Sequence, residues 1–356
     1  MFRQKIDFYL LLPVFFLLGI SVALMVSVSP ENLGNHLVYI ALSTVFFFFF
    51  SLIDIDLLLP FSPFFYLGGL VFLVLPFLLG TITRGSVRWI PIGGFTIQPS
   101  ELVKPLMVLV SAWFWGKREF SFRGLGGYFL LFLPVLGLIF LQPDLGSTLV
   151  ILSILAGSIL VSNVNRRQML VLILVGILII PLAWLAMGNY QRARVIHFLN
   201  PYADPLGKGY NVIQAKIAVG SGGWWGRGLG RGTQSHLAFL PEKHTDFMFA
   251  SLSEELGFAG AILVLTLYLF LFLRVLKIAA LSQEKTFFLL AMGSFFYLFF
   301  QTMVNIGMNI GLLPITGITL PLVSYGGSSL LSTMITLGIL ENVSRQKKEE
   351  RTIEIR

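Results

Sequence analysis

The sequence predicts an all-α integral membrane protein of about ten transmembrane helices, with a long extracytoplasmic loop between helices 7 and 8. Composition comes first: 56% hydrophobic residues, 12% charged residues and 34 Phe exceed what one soluble core needs. Periodic apolar length comes second, because a helix needs about 20 apolar residues to cross a ~30 Å hydrocarbon layer. The third observation is the polar interruption at 189–246, which gathers Gly-rich turns and charge between apolar flanks. No internal repeat or separate soluble region is evident, so residues 1–356 read as one polytopic domain.

The expected spans are 8–28, 36–53, 63–80, 101–116, 127–141, 145–162, 169–187, 247–273, 287–310 and 319–341. Several are short or broken by Pro and Gly, which makes the count approximate. The first follows Arg3 and Lys5 like a secretory signal, but its apolar run is too long and no small-x-small site precedes Pro30. It is expected to stay as a signal anchor. With no cysteine there is neither a disulfide framework nor a thiolate metal site.

Orientation follows from Lys and Arg, which are retained on the cytoplasmic side. With ten spans both termini share a side. That side carries Arg3, Lys5, Lys117, Arg118, Arg123, Arg166, Arg167, Arg274, Lys277, Lys285, Arg345, Lys347, Lys348, Arg351 and Arg356, 15 of the 25 basic residues. Both termini are therefore expected in the cytoplasm. Arg192, Arg194, Lys208, Lys216, Arg227, Arg231 and Lys243 fall in the long loop, and Arg84, Arg88 and Lys104 near the second external loop. Cations on the outer face suit an anionic ligand there. The net charge of +8 is dispersed over membrane loops rather than gathered on one face, which excludes nucleic acid as a partner. The tail from Arg345 to Arg351 reads as a solvated end near anionic lipid.

At the membrane edges, Gln98-Pro99-Ser100-Glu101 opens the fourth span with helix-start residues, and Glu101 and Lys104 share a helix face. They read as an intrahelical ion pair, one that costs several kcal/mol inside a membrane unless compensated. Gln142-Pro143-Asp144-Leu145-Gly146 reads as a tight turn with Asp144 as a helix cap, or as a site residue. The Gly-rich run 220–232 lacks both G-x-G-x-x-G spacing and a Walker lysine, so no nucleotide site is expected. Its pair Trp224-Trp225 suits an element anchored at the membrane interface. Glu254 and Glu255, early in the eighth span, suit pairing with a cation of another span. Ser324 to Ser329 reads as a broken helix start built from small residues.

In this order the segments resemble the SEDS family of shape, elongation, division and sporulation proteins, over nearly the whole chain. The carrying residues are Arg88-Trp89, Gln98-Pro99-Ser100-Glu101 with Lys104, Gln142-Pro143-Asp144-Leu145-Gly146, Gly209-Tyr210-Asn211, and Gly232-Thr233-Gln234-Ser235 leading to Leu240-Pro241-Glu242-Lys243-His244-Thr245-Asp246-Phe247. Glu254-Glu255-Leu256-Gly257 and Leu320-Pro321-Leu322-Val323-Ser324-Tyr325-Gly326-Gly327 complete them. The Gly-Thr-Gln-Ser segment and Lys243 favour the rod-shape branch, RodA, over the division branch, FtsW.

The resemblance implies a multi-pass protein of the bacterial cytoplasmic (inner) membrane, a peptidoglycan glycosyltransferase that polymerises lipid II at the outer face of that membrane during elongation, with the motif's Asp on Asp246. Forming a glycosidic bond from a lipid diphosphate needs a base for the attacking hydroxyl and positive charge for the leaving group. Asp246 is the expected base, against the simpler reading of it as a helix N-cap. Arg88, Lys104, Arg192, Arg194 and Lys243 are candidates for diphosphate contacts, with Glu101, Asp144 and His244 as further substrate-site residues. A diphosphate leaving group recruits Mg²⁺ or Mn²⁺, so a divalent cation of unassigned ligands is the expected cofactor, with no organic one. The resemblance also implies the elongation machinery as partner, with a class B penicillin-binding protein for crosslinking. The chain itself has no Ser-x-x-Lys transpeptidase motif. The competing class is a lipid II flippase, in which Asp246 binds cargo or an ion.

Overall fold

A computed structural model describes residues 6–83, 86–92, 95–162, 164–207, 209–237 and 239–354. The chain runs α1 (Phe8–Val28), α2 (Leu33–Leu52), a short α3 (Ile55–Leu58), α4 (Ser62–Leu79), three strands β1 (Thr81–Thr83), β2 (Ser86–Ile92) and β3 (Phe95–Ile97), then α5 (Pro99–Gly116), α6 (Phe122–Leu141), α7 (Leu145–Leu160) and α8 (Arg166–Ala186). It continues with α9 (Asn189–Leu199), α10 (Tyr210–Ser221), a single turn α11 (Thr233–His236), α12 (Met248–Leu281), α13 (Lys285–Asn309) and α14 (Gly327–Glu354). Among the described residues six helical stretches are long and apolar enough to cross a membrane: α1, Pro30–Leu52, Ile55–Leu79, α6, α12 and α13. The chain is a multi-pass, mostly helical membrane protein. Arg3, Lys5, Arg84, Lys208 and Arg356 lie outside the described residues.

Helix α5 forms the axis of the bundle, packed by α4, α7, α13 and α14 and buried along most of its length. α13 joins it to α7 and α12, and α14 packs along α2. The outward faces of α1, α2, α4 and α6 are Phe and Leu left exposed, as a lipid-facing surface requires.

Four expectations are corrected. The chain is not wholly helical: β1, β2 and β3 form an antiparallel sheet in that order, with Thr81 opposite Trp89 and Ile90 opposite Ile97. The segment Ser86-Val87-Arg88-Trp89-Ile90 supplies alternating β-branched and aromatic residues, and its two partner strands have three residues each, too short for the pattern to stand out. The segment 189–246 is not a plain loop, since it holds α9, α10 and α11. The last span does not start at 319. Residues 311–326 are irregular, held by bonds such as Leu320 N–H to Ser324 Oγ at 2.9 Å, and α14 begins only at Gly327. Finally, Arg345 is not a solvated tail residue: it is buried, with Nε 2.9 Å from Glu341 Oε1.

α12 is broken at Gly257, whose φ of 67° and ψ of −164° are open to glycine alone. A helix break frees backbone groups that lipid cannot satisfy. The Gly-rich run supplies the partners: Arg227 and Gly228 N–H donate to the carbonyls of Glu254 and Glu255 at 3.0 Å each. Phe258 N–H donates to Gly223 O at 2.8 Å and Ala259 N–H to Trp224 O at 3.0 Å. Such bonds need backbone against backbone; a Cβ at Gly226 would sit 2.1 Å from Glu255 O, and one at Gly222 1.9 Å from Ser253 O. The glycines therefore serve close packing, not a phosphate.

Candidate active site

Glu254 and Glu255 are fully buried, and among the described residues no Lys or Arg of another span pairs with them. Glu254 accepts from Gln234 N–H at 2.8 Å, Ser235 N–H at 2.9 Å and Ser235 Oγ at 2.8 Å, at the start of α11. Glu255 accepts from Ser27 Oγ of α1 at 2.6 Å and lies 2.8 Å from His236 Nε2. Hydrogen-bond donors from α1 and from the 234–236 turn meet these carboxyls in place of Lys or Arg. The pair thereby pins the segment that leads into 240–247.

That segment is a run of turns, with Glu242 at a φ of 53°, a left-handed backbone uncommon for a side-chain-bearing residue. It is clamped from α13, where Asn305 and Asn309 lie one turn apart. Their Nδ2 groups donate to the Asp246 carbonyl at 3.1 and 3.0 Å. Asn305 Nδ2 also reaches Ile318 O at 2.7 Å, and Asn309 Oδ1 accepts from Ala250 N–H at 3.0 Å. On the other side Ser324 Oγ donates to Thr245 O at 2.6 Å and Tyr325 N–H to His244 O at 2.8 Å. Asp246 is thus fixed through its backbone. It is not the helix cap: the N-cap position of α12 is Phe247.

Asp246 opens into a cleft that Arg88, Trp89, Gln98 and Glu101 share with Tyr39, Thr245, Tyr325 and the 326–329 turn. The floor is laid by α5. Lys104, with no exposed surface, donates to Glu101 Oε1 at 2.5 Å and to Gln301 Oε1 at 2.9 Å. Gln301 Nε2 continues to Thr319 O at 3.1 Å. Glu101 Oε2 has no hydrogen-bond partner among the described residues. Beside it Asp144 caps α7 through Ser147 N–H at 3.1 Å and accepts from Gln98 Nε2 at 2.7 Å and Ser100 Oγ at 3.0 Å, with Arg88 Nη1 at 3.9 Å. Burial opposes its ionisation, yet Arg88, Ser147 and Lys104 together hold the carboxyl below its ordinary range.

The structure brings Arg88, Glu101 and Asp246 to one surface and sets Lys104 and Asp144 one layer behind it. Arg194 joins from α9: a Cβ at Gly317 would lie 3.5 Å from Asp246 Oδ2 and 3.8 Å from Arg194 Nη1. Arg194 Nη1 also donates to Ile315 O at 3.1 Å. Three expected site residues are placed elsewhere. Arg192 donates to the carbonyls of Trp184 and Leu185 at 3.1 and 2.7 Å, closing the end of α8. Lys243 and His244 lie toward Glu31, just ahead of α2. The His244 ring meets Tyr325 at 5.5 Å. Sequence reasoning missed Tyr39 and Gln301; it noted Tyr325 in a motif and Asn305 and Asn309 as polar residues inside the membrane, without giving any of them a place in the site. Polar residues at i, i+4, i+8 in an apolar helix were the available signal for Gln301, Asn305 and Asn309.

A family model described as cell cycle protein, FtsW/RodA/SpoVE, matches residues 3–349. Among curated relatives, peptidoglycan glycosyltransferase MrdB of Escherichia coli is 41% identical over 291 residues, 81% of this chain and 78% of the relative. A probable peptidoglycan glycosyltransferase FtsW of Pseudoalteromonas translucida is 38% identical over 97% of this chain and 91% of its own length. Among solved structures, a chain of a peptidoglycan synthase complex that coordinates polymerization and crosslinking superposes with a TM-score of 0.83 at 33% identity, over 96% of this chain and 98% of that one. The rod shape determining protein RodA of Thermus thermophilus gives 0.73 at 28% identity, over 97% and 98%.

Proposed function

This chain belongs to the cell cycle protein family of FtsW, RodA and SpoVE, and from that premise we propose that it is a peptidoglycan glycosyltransferase polymerising lipid II. The observation that carries the reading is one cleft in which a backbone-fixed carboxylate, Asp246, shares walls with Arg88 and has Arg194 beside it. In this reading Asp246 takes the proton from the acceptor sugar's 4-hydroxyl. The oxygen attacks the donor's anomeric carbon from the face opposite the diphosphate, a new C–O bond forms as the bond to diphosphate breaks, and α becomes β. The electron pair leaves on the diphosphate, where Arg88 and Arg194 supply charge already in place. Lys104 acts at one remove by holding Glu101 and Gln301.

A divalent cation belongs to the same proposal. Among the described residues no three acidic or histidine side chains cluster as ligands. Mg²⁺ and Mn²⁺ are commonly held by one or two carboxylates plus substrate phosphates, and Glu101, with a buried Oε2 lacking a partner, and Asp246 line the cleft. These two would hold the ion, which would supply further charge for the leaving diphosphate.

The finer topology is also proposed: the whole chain as one polytopic domain of ten spans (α1, α2, α4 to α8 and α12 to α14), both termini in the cytoplasm, and 189–246 outside the inner membrane. Loop charge supports it. A class B penicillin-binding protein is the proposed crosslinking partner, as the related synthase complex couples the two activities. The test is polymerisation of labelled lipid II by the purified protein, with and without that partner. Polymer that depends on Asp246 supports the reading; lipid II moved across vesicles with no polymer formed would establish a transporter instead.

A further inference from the structure

The Gly-rich run presents the most exposed aromatic pair among the described residues outside the helices: Trp224 is 70% and Trp225 85% exposed, with Leu229 at 52%. They are not on a loose loop. Four backbone hydrogen bonds tie the run to the break in α12, and the Trp224 ring meets Phe258 edge-on at 5.0 Å. Phe258 in turn heads the exposed apolar face of α12, followed by Ile262, Leu265 and Leu269.

Depth along α12 says what covers the pair. From Phe258 to Lys277 the helix rises about 28 Å at 1.5 Å per residue, close to the ~30 Å thickness of a hydrocarbon layer. With the exposed Lys277 at one boundary, Phe258 and the tryptophans lie at the other. α13 gives the same depth for the Asp246 main chain: from Lys285 to Asn305 and Asn309, which hold its carbonyl, the rise is about 30 to 36 Å. Trp is the residue of membrane interfaces, an apolar ring with one N–H for the wet side. Arg227 and Arg231, both exposed, flank the pair and complement lipid phosphates.

We propose that residues 222–231 form a membrane-interface anchor, with Trp224 and Trp225 seated in the lipid headgroup boundary and Arg227 and Arg231 on lipid phosphates. Because the anchor is bonded to the α12 break, it fixes the depth of the segment that ends in Asp246. That this depth matches a lipid diphosphate rests on the proposed function; the anchor itself does not.

The full chain lacks cysteine, so Trp225→Cys can carry one nitroxide. It is placed in vesicles of phosphatidylethanolamine and phosphatidylglycerol without substrate and compared with Gln283→Cys in the exposed turn between α12 and α13. Relative to a water-soluble nickel chelate, molecular oxygen should relax the label at 225 several-fold more effectively than that at 283. Equal access of the chelate to both labels overturns the anchor, as does protection of 225 that arises only when a transpeptidase partner is added, which would mark a protein docking face. Replacing phosphatidylglycerol with phosphatidylcholine should weaken the protection at 225. Combining Arg227→Gln with Arg231→Gln should erase that lipid dependence, and its persistence would remove the arginines from the proposal. Because no substrate is present, failure here leaves the reading of the cleft standing.

Discussion

Asp144 and Asp246 carry the same local signature, an aspartate just ahead of an apolar helix, and the structure gives them opposite surroundings. Asp144 is 1% exposed, caps α7, and has its oxygens taken by Ser147, Gln98 and Ser100, with Arg88 beyond. Asp246 stands one residue before the cap of α12, half-buried at the cleft wall, with its main-chain carbonyl held by Asn305 and Asn309. A carboxylate saturated by donors stabilises architecture and is a poor proton acceptor. One held by its backbone at a cleft wall is placed for general-base chemistry. What separates them is tertiary: α13 reaches the second and β2 the first.

The sharpest way to break the comparison is Asp246→Asn, which keeps size and most hydrogen bonding but accepts no proton near neutral pH. Loss of a general base costs roughly 10² to 10⁴ in rate, so lipid II polymerisation should fall by that factor. The thermal midpoint in detergent should barely move. Wild-type rates from the Asn protein would sink the proposed base and redirect attention to Glu101.

Asp144→Ala should do the reverse, acting first on folding. It strips Gln98, Ser100 and Arg88 of a buried acceptor, and breaking a buried charged network by removing one partner typically costs about 3 to 5 kcal/mol. A midpoint lowered by several degrees is expected, with activity lost in proportion to unfolded protein. The same carboxyl predicts a pH effect of fixed sign. Its folded pKa is depressed, so its stabilisation is fully present above the unfolded value of about 3.9 and fades as pH falls through the folded one. Asp144→Asn should flatten that acid limb of the melting curve; an unchanged limb would count against the network.

Much of the bundle was legible because the bilayer imposes its length on apolar runs: the span expected at 8–28 coincides with α1, and that at 145–162 overlaps α7. The misreadings share one cause. Leu320-Pro321-Leu322-Val323 is apolar enough for a helix, yet Leu322 has a φ of 65°, and Tyr268 Oη donates to Pro321 O. Buried irregular backbone is tolerated in a membrane only when side chains satisfy it, and no one-dimensional pattern records which side chains arrive. Lys104 was expected on the diphosphate for the same reason: its charge and its pairing with Glu101 were visible, while the bond that closes it off, to Gln301, came from α5 meeting α13. The resemblance selected Asp246; the clamps that distinguish it from Asp144 came from the fold.

Two arginines in α9 extend the comparison to its smallest expected effects. Sequence gave Arg192 and Arg194 equal standing as diphosphate ligands, and the fold separates them across two residues. Arg194 lies beside Asp246 at Gly317, so Arg194→Gln should raise the apparent KM for lipid II roughly tenfold, the worth of one charge-assisted hydrogen bond. Arg192 bonds the last carbonyls of α8. A surface substitution there is worth about 0.5 kcal/mol or less, because water replaces the guanidinium at those carbonyls. Arg192→Gln should therefore polymerise lipid II with wild-type KM and melt within a degree or two of the parent. If instead Arg192→Gln weakens lipid II and Arg194→Gln does not, α9 presents its other face to the substrate, and the cation beside the base has been misassigned.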